Sequence, residues 1–363
     1  MTERKPRALV AMSGGVDSSV AAALLLRRGY EVVGATMRVY DYSGVSRCGT
    51  CCAPDDIHDA KRVADKLGIA HYTLNYEDRF ADSVIRPFVD EYLRGRTPIP
   101  CVACNDRMKF RAMLARAAEL DCDLLATGHY ARVLRDGARV RLARGRDAAK
   151  DQTYFLFNLD EAQLARIDFP VGELDKASVR ALAEELDLPV SHKPDSQEIC
   201  FVPGGDYAAV VEKAVGDGVD LSGEIVDRAG RVVGRHDGYH RFTVGQRKGL
   251  GCLGPEPHYV LKIDSAAARV MVGKAEDVYF DSLRCDRFHW IGGAPASPVR
   301  AVVKIRHQHA GAAATIHPTG DGVRVEFERP VRAVSPGQAA VAYDGDVVRG
   351  GGFIDEGFLA EHA

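Results

Sequence analysis

Along the first half of the chain, short unbroken apolar runs alternate with stretches whose apolar residues recur every three or four positions. Ala8-Leu9-Val10-Ala11-Met12 is such a run, and Glu31–Met37, His71–Leu74 and Leu124–Thr127 repeat it. Runs of this kind mark strands buried on both faces of a parallel sheet. Between them, Val20–Leu26 is rich in strong helix formers and ends at Arg27-Arg28-Gly29, with cations in the last turn and a Gly stop. After Asp55-Asp56, the positions Ile57, Ala60, Val63, Ala64 and Leu67 keep helical spacing. The alternation predicts the α/β class: a doubly wound parallel sheet that binds ligands at the carboxyl ends of its strands. Met12, Met37 and Thr127-Gly128 all fall at such ends.

From about residue 205 the pattern shortens to β-like runs between Gly-rich turns, as in Gly223–Asp227 and Val232–Gly234. Val302–Arg306, Val323–Phe327 and Ala339–Tyr343 continue it toward the C-terminus. The chain therefore divides into an α/β domain over 1–204, a small β-rich module over 205–284 and an antiparallel β-barrel over 285–363.

Composition narrows the class. The 363 residues suffice for several cores. No stretch reaches the roughly 20 apolar residues of a membrane span. Met1–Arg7 runs into a strand and not into the apolar core of a secretory signal, so a cytoplasmic protein with no membrane partner is expected. The net charge of −3 leaves any nucleic-acid contact to local patches. Nine cysteines, an odd number without a secretory leader, argue against a disulfide framework and toward reactive or metal-binding thiols.

The strongest chemical signal is Ala11-Met12-Ser13-Gly14-Gly15-Val16-Asp17-Ser18-Ser19, set between a strand and a helix. A Gly-Gly turn at a helix N-terminus presents several main-chain N–H groups to one point, backed by the helix dipole. Ser13 and Ser18 add hydroxyls, and Gly14 and Gly15 let an anion approach the backbone. The turn lacks the Lys of a G-x-x-x-x-G-K-[ST] loop and the three-Gly spacing of a dinucleotide fingerprint. Asp17 stands where Mg²⁺ is expected beside bound phosphates. The bland reading of the same residues is an ordinary βα turn with Asp17 or Ser18 as helix cap.

The second signal is Thr97-Pro98-Ile99-Pro100-Cys101-Val102-Ala103-Cys104-Asn105, followed by Arg107 and Lys109. A thiol near those cations has its nucleophilic thiolate favoured. Cys200 follows in Asp195-Ser196-Gln197-Glu198-Ile199-Cys200-Phe201, whereas Cys122, Cys252 and Cys285 read as small buried apolar residues.

Taken in order, S-G-G-V-D-S, the Pro-x-Pro…Cys-Asn…Lys-Phe block, Ala126–Tyr130, Lys150–Leu156, Asp195–Phe201, Gly245–Gly251 and Pro336–Ala339 span almost the whole chain. The sequence resembles the tRNA-specific 2-thiouridylases of the MnmA family, within the PP-loop ATP pyrophosphatases. The resemblance implies ATP and Mg²⁺ at Ala11, Met12, Ser13, Gly14, Gly15, Val16, Asp17 and Ser18, with Met37 and Gly128 near the adenine. It implies that the wobble uridine of a tRNA for Lys, Glu or Gln is flipped out of its stack. Its C2 oxygen would attack the α-phosphate, and pyrophosphate would leave. A persulfide on Cys200, loaded by an upstream donor protein, would supply sulfur. Cys104 would either attack C2 or release the terminal sulfur by forming a disulfide with Cys200. Ile99, Pro100 and Cys101 would line the base. His129, Lys150, Asp151, Gln152, Arg306, His307 and Gln338 would touch tRNA, and the cations among them suit phosphate pairing.

Many relatives carry Asp where this chain has Cys101. Cys101, Cys104 and Cys200 thus form a candidate three-thiolate set for a [4Fe-4S] cluster that would deliver the sulfur in the alternative mechanism. Cys48-x-x-Cys51 with Cys101-x-x-Cys104 gives a zinc reading, but the pairs lie farther apart than in a zinc ribbon. Two other functions compete. A PP-loop enzyme that adenylates a small acid has no use for Cys104 and Cys200, and a non-catalytic RNA-binding relative has no use for an intact loop.

Overall fold

The computed structural model describes residues 4–40, 54–137, 139–195, 199–216, 218–251 and 256–360. The Cys48–Cys52 cluster, Ser196–Glu198 and Cys252 lie outside the described residues. By packing, the chain forms two compact units. The first comprises Met1–Ile85, Pro100–Gly205 and Asp346–Val348, and the second comprises Arg86–Ile99, Asp206–Gly345 and Arg349–Ala363.

In the first unit, β1 (Arg7–Ala11), β2 (Glu31–Arg38), β3 (Ala70–Asn75) and β4 (Leu124–Thr127) occupy the four predicted runs. With Ile167–Asp168 they form a parallel sheet in the order β3-β2-β1-β4-Ile167–Asp168. Ala11 lies opposite both Ala35 and Thr127, so the carboxyl ends of the central strands come level. Helix α1 (Val16–Arg27) covers the sheet with Val20, Ala21 and Leu25, none of them exposed, and Val179 and Ala183 of the helix Lys176–Glu185 join the same core. Helix α2 (Pro54–Leu67) buries Ala60 and Val63 there. Each fully buried Val or Leu side chain among these is worth about 1.5–3 kcal/mol. An antiparallel hairpin, Ala131–Asp136 with Arg139–Arg144, follows β4.

In the second unit, a four-stranded sheet runs in the order Tyr259–Asp264, Arg269–Gly273, Gly223–Val226, Val232–His236, closing over Ile225, Val260, Val270 and Val272. Ahead of it stands a helix, Tyr207–Val215, whose cap Asp206 accepts the Ala209 N–H at 3.1 Å. An antiparallel sheet orders Glu356–Leu359, Tyr279–Cys285, Gly322–Arg332, Ala312–Thr319, Val299–Lys304 and Ala339–Asp344. Its strands alternate as the sequence alternates: Val323, Val325 and Phe327 are buried, while Arg324, Glu326 and Glu328 face solvent. The strand Tyr279–Cys285 straddles the expected 284/285 boundary and pairs with strands of this sheet. Cys122 and Cys285 are buried as expected.

Candidate functional site

The Ser13–Ser18 loop leaves β1 and enters α1 through a turn that only glycine fits at one point. Gly14 has φ +71°, and a Cβ there would lie 2.1 Å from the Asp56 carbonyl oxygen. Gly15 caps α1 in extended conformation without a side-chain bond, so the first-turn N–H groups face outward from the helix end. Met12 is buried; its N–H donates to Ala35 O at 2.8 Å, and its carbonyl accepts from Thr36 Oγ1 at 2.8 Å. The Ser13 N–H donates to Ser18 Oγ at 3.1 Å, and the two hydroxyls lie 3.3 Å apart. Gly128 presses against the same helix end, since a Cβ on it would meet Ser18 N at 2.5 Å. Val16 and Met37 are buried beside the loop, the latter near the carboxyl end of β2. Of the predicted nucleotide residues, Ala11 to Ser18 and Gly128 thus meet at one helix N-terminus, while Met37 lies on β2.

Charge is organised around that point. Asp17 accepts from Tyr130 Oη at 2.8 Å and from Lys176 Nζ at 2.8 and 2.9 Å. Burial and the neighbouring Asp17 push the Tyr130 hydroxyl far above the usual phenol range, so it stays a donor. Lys176 also reaches Asp195 Oδ1 at 2.7 Å. Asp195 further binds Lys150 at 2.8 Å and Arg180 at 3.0 Å. Burial raises the Asp195 carboxyl, but Lys150 and Lys176 outweigh it and the net shift is downward. Two residues earlier, Lys193 holds Gly14 O at 3.1 Å, Asp56 at 2.5 Å and Asp59 at 2.6 Å. The segment 193–195 therefore braces the loop from one side and the Lys150 turn from the other.

The thiols lie on segments tied to this framework. Pro100–Ala103 is one helical turn and leads into a π-helical stretch, Cys104–Ala112, a geometry frequent at functional positions. Cys101 is exposed and Cys104 half-buried. Asn105 Nδ2 donates to Phe155 O at 3.2 Å, joining this stretch to the turn after Lys150, and Arg107 donates to Ser83 O at 2.9 Å. Phe201, next to the half-buried Cys200, meets Phe80 edge-on at 5.7 Å between centroids. Phe80 immediately precedes the segment Ala81–Ile85, which packs on both Pro100–Ala103 and Cys104–Ala112. Through Phe201 and Phe80 the turn that carries Cys200 thus reaches the segment that packs on the Cys101 and Cys104 helical stretch.

The residues expected at RNA fall into two groups. In the first unit Lys150 is half-exposed, whereas Asp151 is buried on Thr153 and Gln152 is bonded to the Tyr130 main chain. His129 is only 8 % exposed, hydrogen-bonded to Thr127 at 2.7 Å and set against Phe110 and Phe169. Burial, aided by Lys109, keeps its imidazole neutral well below the ordinary histidine range. In the second unit, Gln338 Nε2 donates to Thr97 O at 3.0 Å, and Thr97 N donates to Pro336 O at 2.8 Å, bracing Ile99 from two residues away. A cavity of about 630 Å³ opens there, lined by Thr97, Arg247, Tyr259, Arg306, Arg332 and Gln338 among others, with no carboxylate residue among its described lining. Arg332 stacks over Tyr259 at 4.8 Å, its carbonyl accepts from Arg306 at 3.1 Å, and His307 is exposed beside them.

Family profiles match the chain in three consecutive stretches: the tRNA methyl transferase HUP domain at residues 6–204, the tRNA methyl transferase PRC-barrel domain at 211–274 and the aminomethyltransferase β-barrel domain at 280–354. Nearly full-length relatives decide the branch. The tRNA-specific 2-thiouridylase MnmA of Geobacter metallireducens is 50 % identical over 98 % of this chain and 98 % of its own. That of Solibacter usitatus is 51 % identical over 95 % of this chain and 98 % of its own. The chain belongs to the tRNA-specific 2-thiouridylase family.

In this member of the 2-thiouridylase family, sequence reading missed Lys176, Asp195, Lys193, Arg332 and Tyr259 as site residues. Asp195 opens the Cys200 motif and Lys193 lies two residues before it, but nothing local marks Lys176. For Mg²⁺ the chemistry fits: the ion takes one or two carboxylates together with substrate phosphates, and Asp17, which here holds Tyr130 and Lys176, is the loop's own carboxylate. Among the described residues no three Cys, His, Asp or Glu side chains gather closely enough to hold a metal ion. No helix of the described residues is long and apolar enough to cross a membrane.

Proposed function

We propose that this protein is an ATP-dependent tRNA sulfurtransferase that converts the wobble uridine, U34, to 2-thiouridine. The observation that carries the reading is that the loop-bearing unit also holds the Cys104 and Cys200 segments, linked through Phe201, Phe80 and the Ala81–Ile85 segment, with Asn105 tying the Cys104 stretch to the turn after Lys150. The nucleotide phosphates lie on the α1 N-terminus, where Asp17 would hold Mg²⁺ and the bound ion would screen their charge. The C2 oxygen of U34 attacks the α-phosphate, the α–β bond breaks, and pyrophosphate departs with the bond electrons. A persulfide on Cys200, received from an upstream donor protein, then attacks C2 with its terminal sulfur, and AMP leaves carrying the former C2 oxygen. Cys104 thiolate attacks the Cys200 sulfur, which frees the thiolated base and forms a Cys104–Cys200 disulfide that a dithiol reductant reopens. The substrates are the tRNAs for Lys, Glu and Gln, and the division 1–204, 205–284 and 285–363 into catalytic domain, central module and barrel is part of the same proposal.

The test is 2-thiouridine formation by anaerobically purified protein given ATP, tRNA and a persulfide donor, with iron and acid-labile sulfide measured alongside. Cys104→Ser and Cys200→Ser should each abolish thiolation, by about 10³-fold or more for loss of a covalent nucleophile, while ATP binding persists. Activity that tracks iron and sulfide and vanishes in Cys101→Ala would replace the persulfide with a cluster. Pyrophosphate release driven by a small carboxylate without RNA would sink the whole reading.

A further inference from the structure

The Ser13–Ser18 loop holds one Gly–Gly peptide, between Gly14 and Gly15. A peptide plane flanked by two glycines can turn over with no Cβ on either side to oppose it. Turned one way, it offers an N–H to a bound phosphate. Turned the other, it offers a carbonyl oxygen, which repels an anion. A phosphate site built on this turn therefore needs something that fixes the plane.

Lys193 stands where it can do so. An ammonium has three N–H donors, and those of Lys193 meet the Gly14 carbonyl at 3.1 Å, Asp56 at 2.5 Å and Asp59 at 2.6 Å. Both carboxylates belong to α2, whose main chain at Asp56 also lies against Gly14. The main chain of Lys193 is pinned in turn: its N–H donates to Val190 O at 2.9 Å, and its carbonyl accepts from Arg180 at 3.2 Å. The Gly14–Gly15 peptide is trans, so its carbonyl and N–H point in opposite directions. A carbonyl drawn onto Lys193 thus turns the Gly15 N–H away from the ammonium and from α2. Among the described residues nothing accepts from that N–H, whereas the Gly15 carbonyl is taken by the Ser18 and Ser19 hydroxyls.

We propose that Lys193 is a positioning residue of the nucleotide site: it latches the Gly14–Gly15 peptide so that the Gly15 N–H faces the phosphates of ATP, and it touches no phosphate itself. The inference rests on ATP occupying the Ser13–Ser18 loop, but on nothing about the acceptor. Asp56 and Asp59 hold the ammonium in place, and the Gly14 carbonyl is what it acts upon.

Equilibrium binding of ATP to the full chain tests it, with wild type compared to Lys193→Met, to the double variant Asp56→Asn/Asp59→Asn and to the triple variant that combines them. Lys193→Met should weaken ATP roughly 10- to 100-fold, the worth of one charge-assisted bond. It also strands two carboxylates near the phosphates, and their repulsion weakens binding by itself. The triple variant strands none and should keep the loss. The double variant should bind ATP close to wild type, because its Asn oxygens still accept from the ammonium. Amide exchange over residues 13–18, followed by mass spectrometry, should quicken in the triple variant and not in the double. Affinity recovered in the triple variant would reduce the effect to charge repulsion, and equal losses in double and triple would assign it to α2. A triple variant that fails to fold where the double folds would make Lys193 a structural strut. Each of these results overturns the proposal. If the two Asn substitutions themselves prevent folding, Asp59→Asn is compared with Lys193→Met/Asp59→Asn, which changes no net charge, and the same outcomes apply. Wild type that binds no ATP would instead remove the nucleotide reading itself.

Discussion

Around the Ser13–Ser18 loop of the first unit, Lys150, Lys176 and Lys193 each hold a carboxylate. The cavity of the second unit carries Arg247, Arg306 and Arg332 on its wall, with no carboxylate residue among its described lining. A polyphosphate entering the first region would meet ion pairs already formed, so binding there would rest on geometry, above all on main-chain N–H groups at set places. A polyanion meeting the second encounters positive charge with no anion on the same wall, so binding there gains from counterion release and follows salt. The first arrangement would suit one particular phosphate, and the second any backbone phosphate that arrives.

The comparison breaks most decisively at Gly14. Gly14→Ala places a methyl 2.1 Å from Asp56 O at φ +71°, which adds at least about 1–3 kcal/mol of backbone strain and forces the loop away from α2. Loss of ATP binding and a lower unfolding midpoint are expected, with tRNA affinity little changed. If calorimetric titration finds ATP affinity intact, the loop is not the phosphate cradle.

A smaller effect belongs to the cavity. Arg306→Ala with Arg332→Ala should lower tRNA affinity roughly tenfold and flatten the plot of log affinity against log salt by about one unit for each RNA phosphate left unpaired. ATP affinity should not move. Filter binding from low to high salt checks this, and an unchanged slope would mean that the cavity does not meet the RNA backbone.

The same contrast explains what was legible. The loop could be read because its backbone dictates residue type at fixed spacing: glycine where φ is positive, serines where hydroxyls meet. β1 to β4 could be read because a strand buried on both faces needs an unbroken apolar run. Lys176 could not, since Lys is a common surface residue and its partner Asp17 is reached only through the tertiary fold. Gln338 and Thr97, 241 residues apart, are a similar case. The strand Ile167–Asp168 has two residues, too few for any period. In the helix Tyr207–Val215, adjacent valines at 210 and 211 blurred a helical signal inside a region otherwise rich in strands. His129, which the resemblance places at tRNA, is buried between aromatic neighbours, a setting its sequence does not announce.

That burial yields the smallest of these effects and a defined sign. Folded His129 stays neutral well below 6.5 because burial, then Lys109, disfavours its charge, whereas the unfolded chain takes the proton near 6.5. Below that pH the unfolded state binds one more proton, so this residue subtracts about 1.4 kcal/mol of stability per pH unit as pH falls, and contributes nothing above it. His71, His236 and His309 shift the same way and add their own slopes. His129→Asn should be less stable at pH 7.5, having lost the imidazole that bonds Thr127, yet its acid slope should be shallower by one proton. Urea unfolding at stepped pH measures both. Parallel slopes for the variant and wild type would mean that His129 protonates in place, and that the end of β4 beside Gly128 is far more open to solvent than the packing of Phe110 and Phe169 requires.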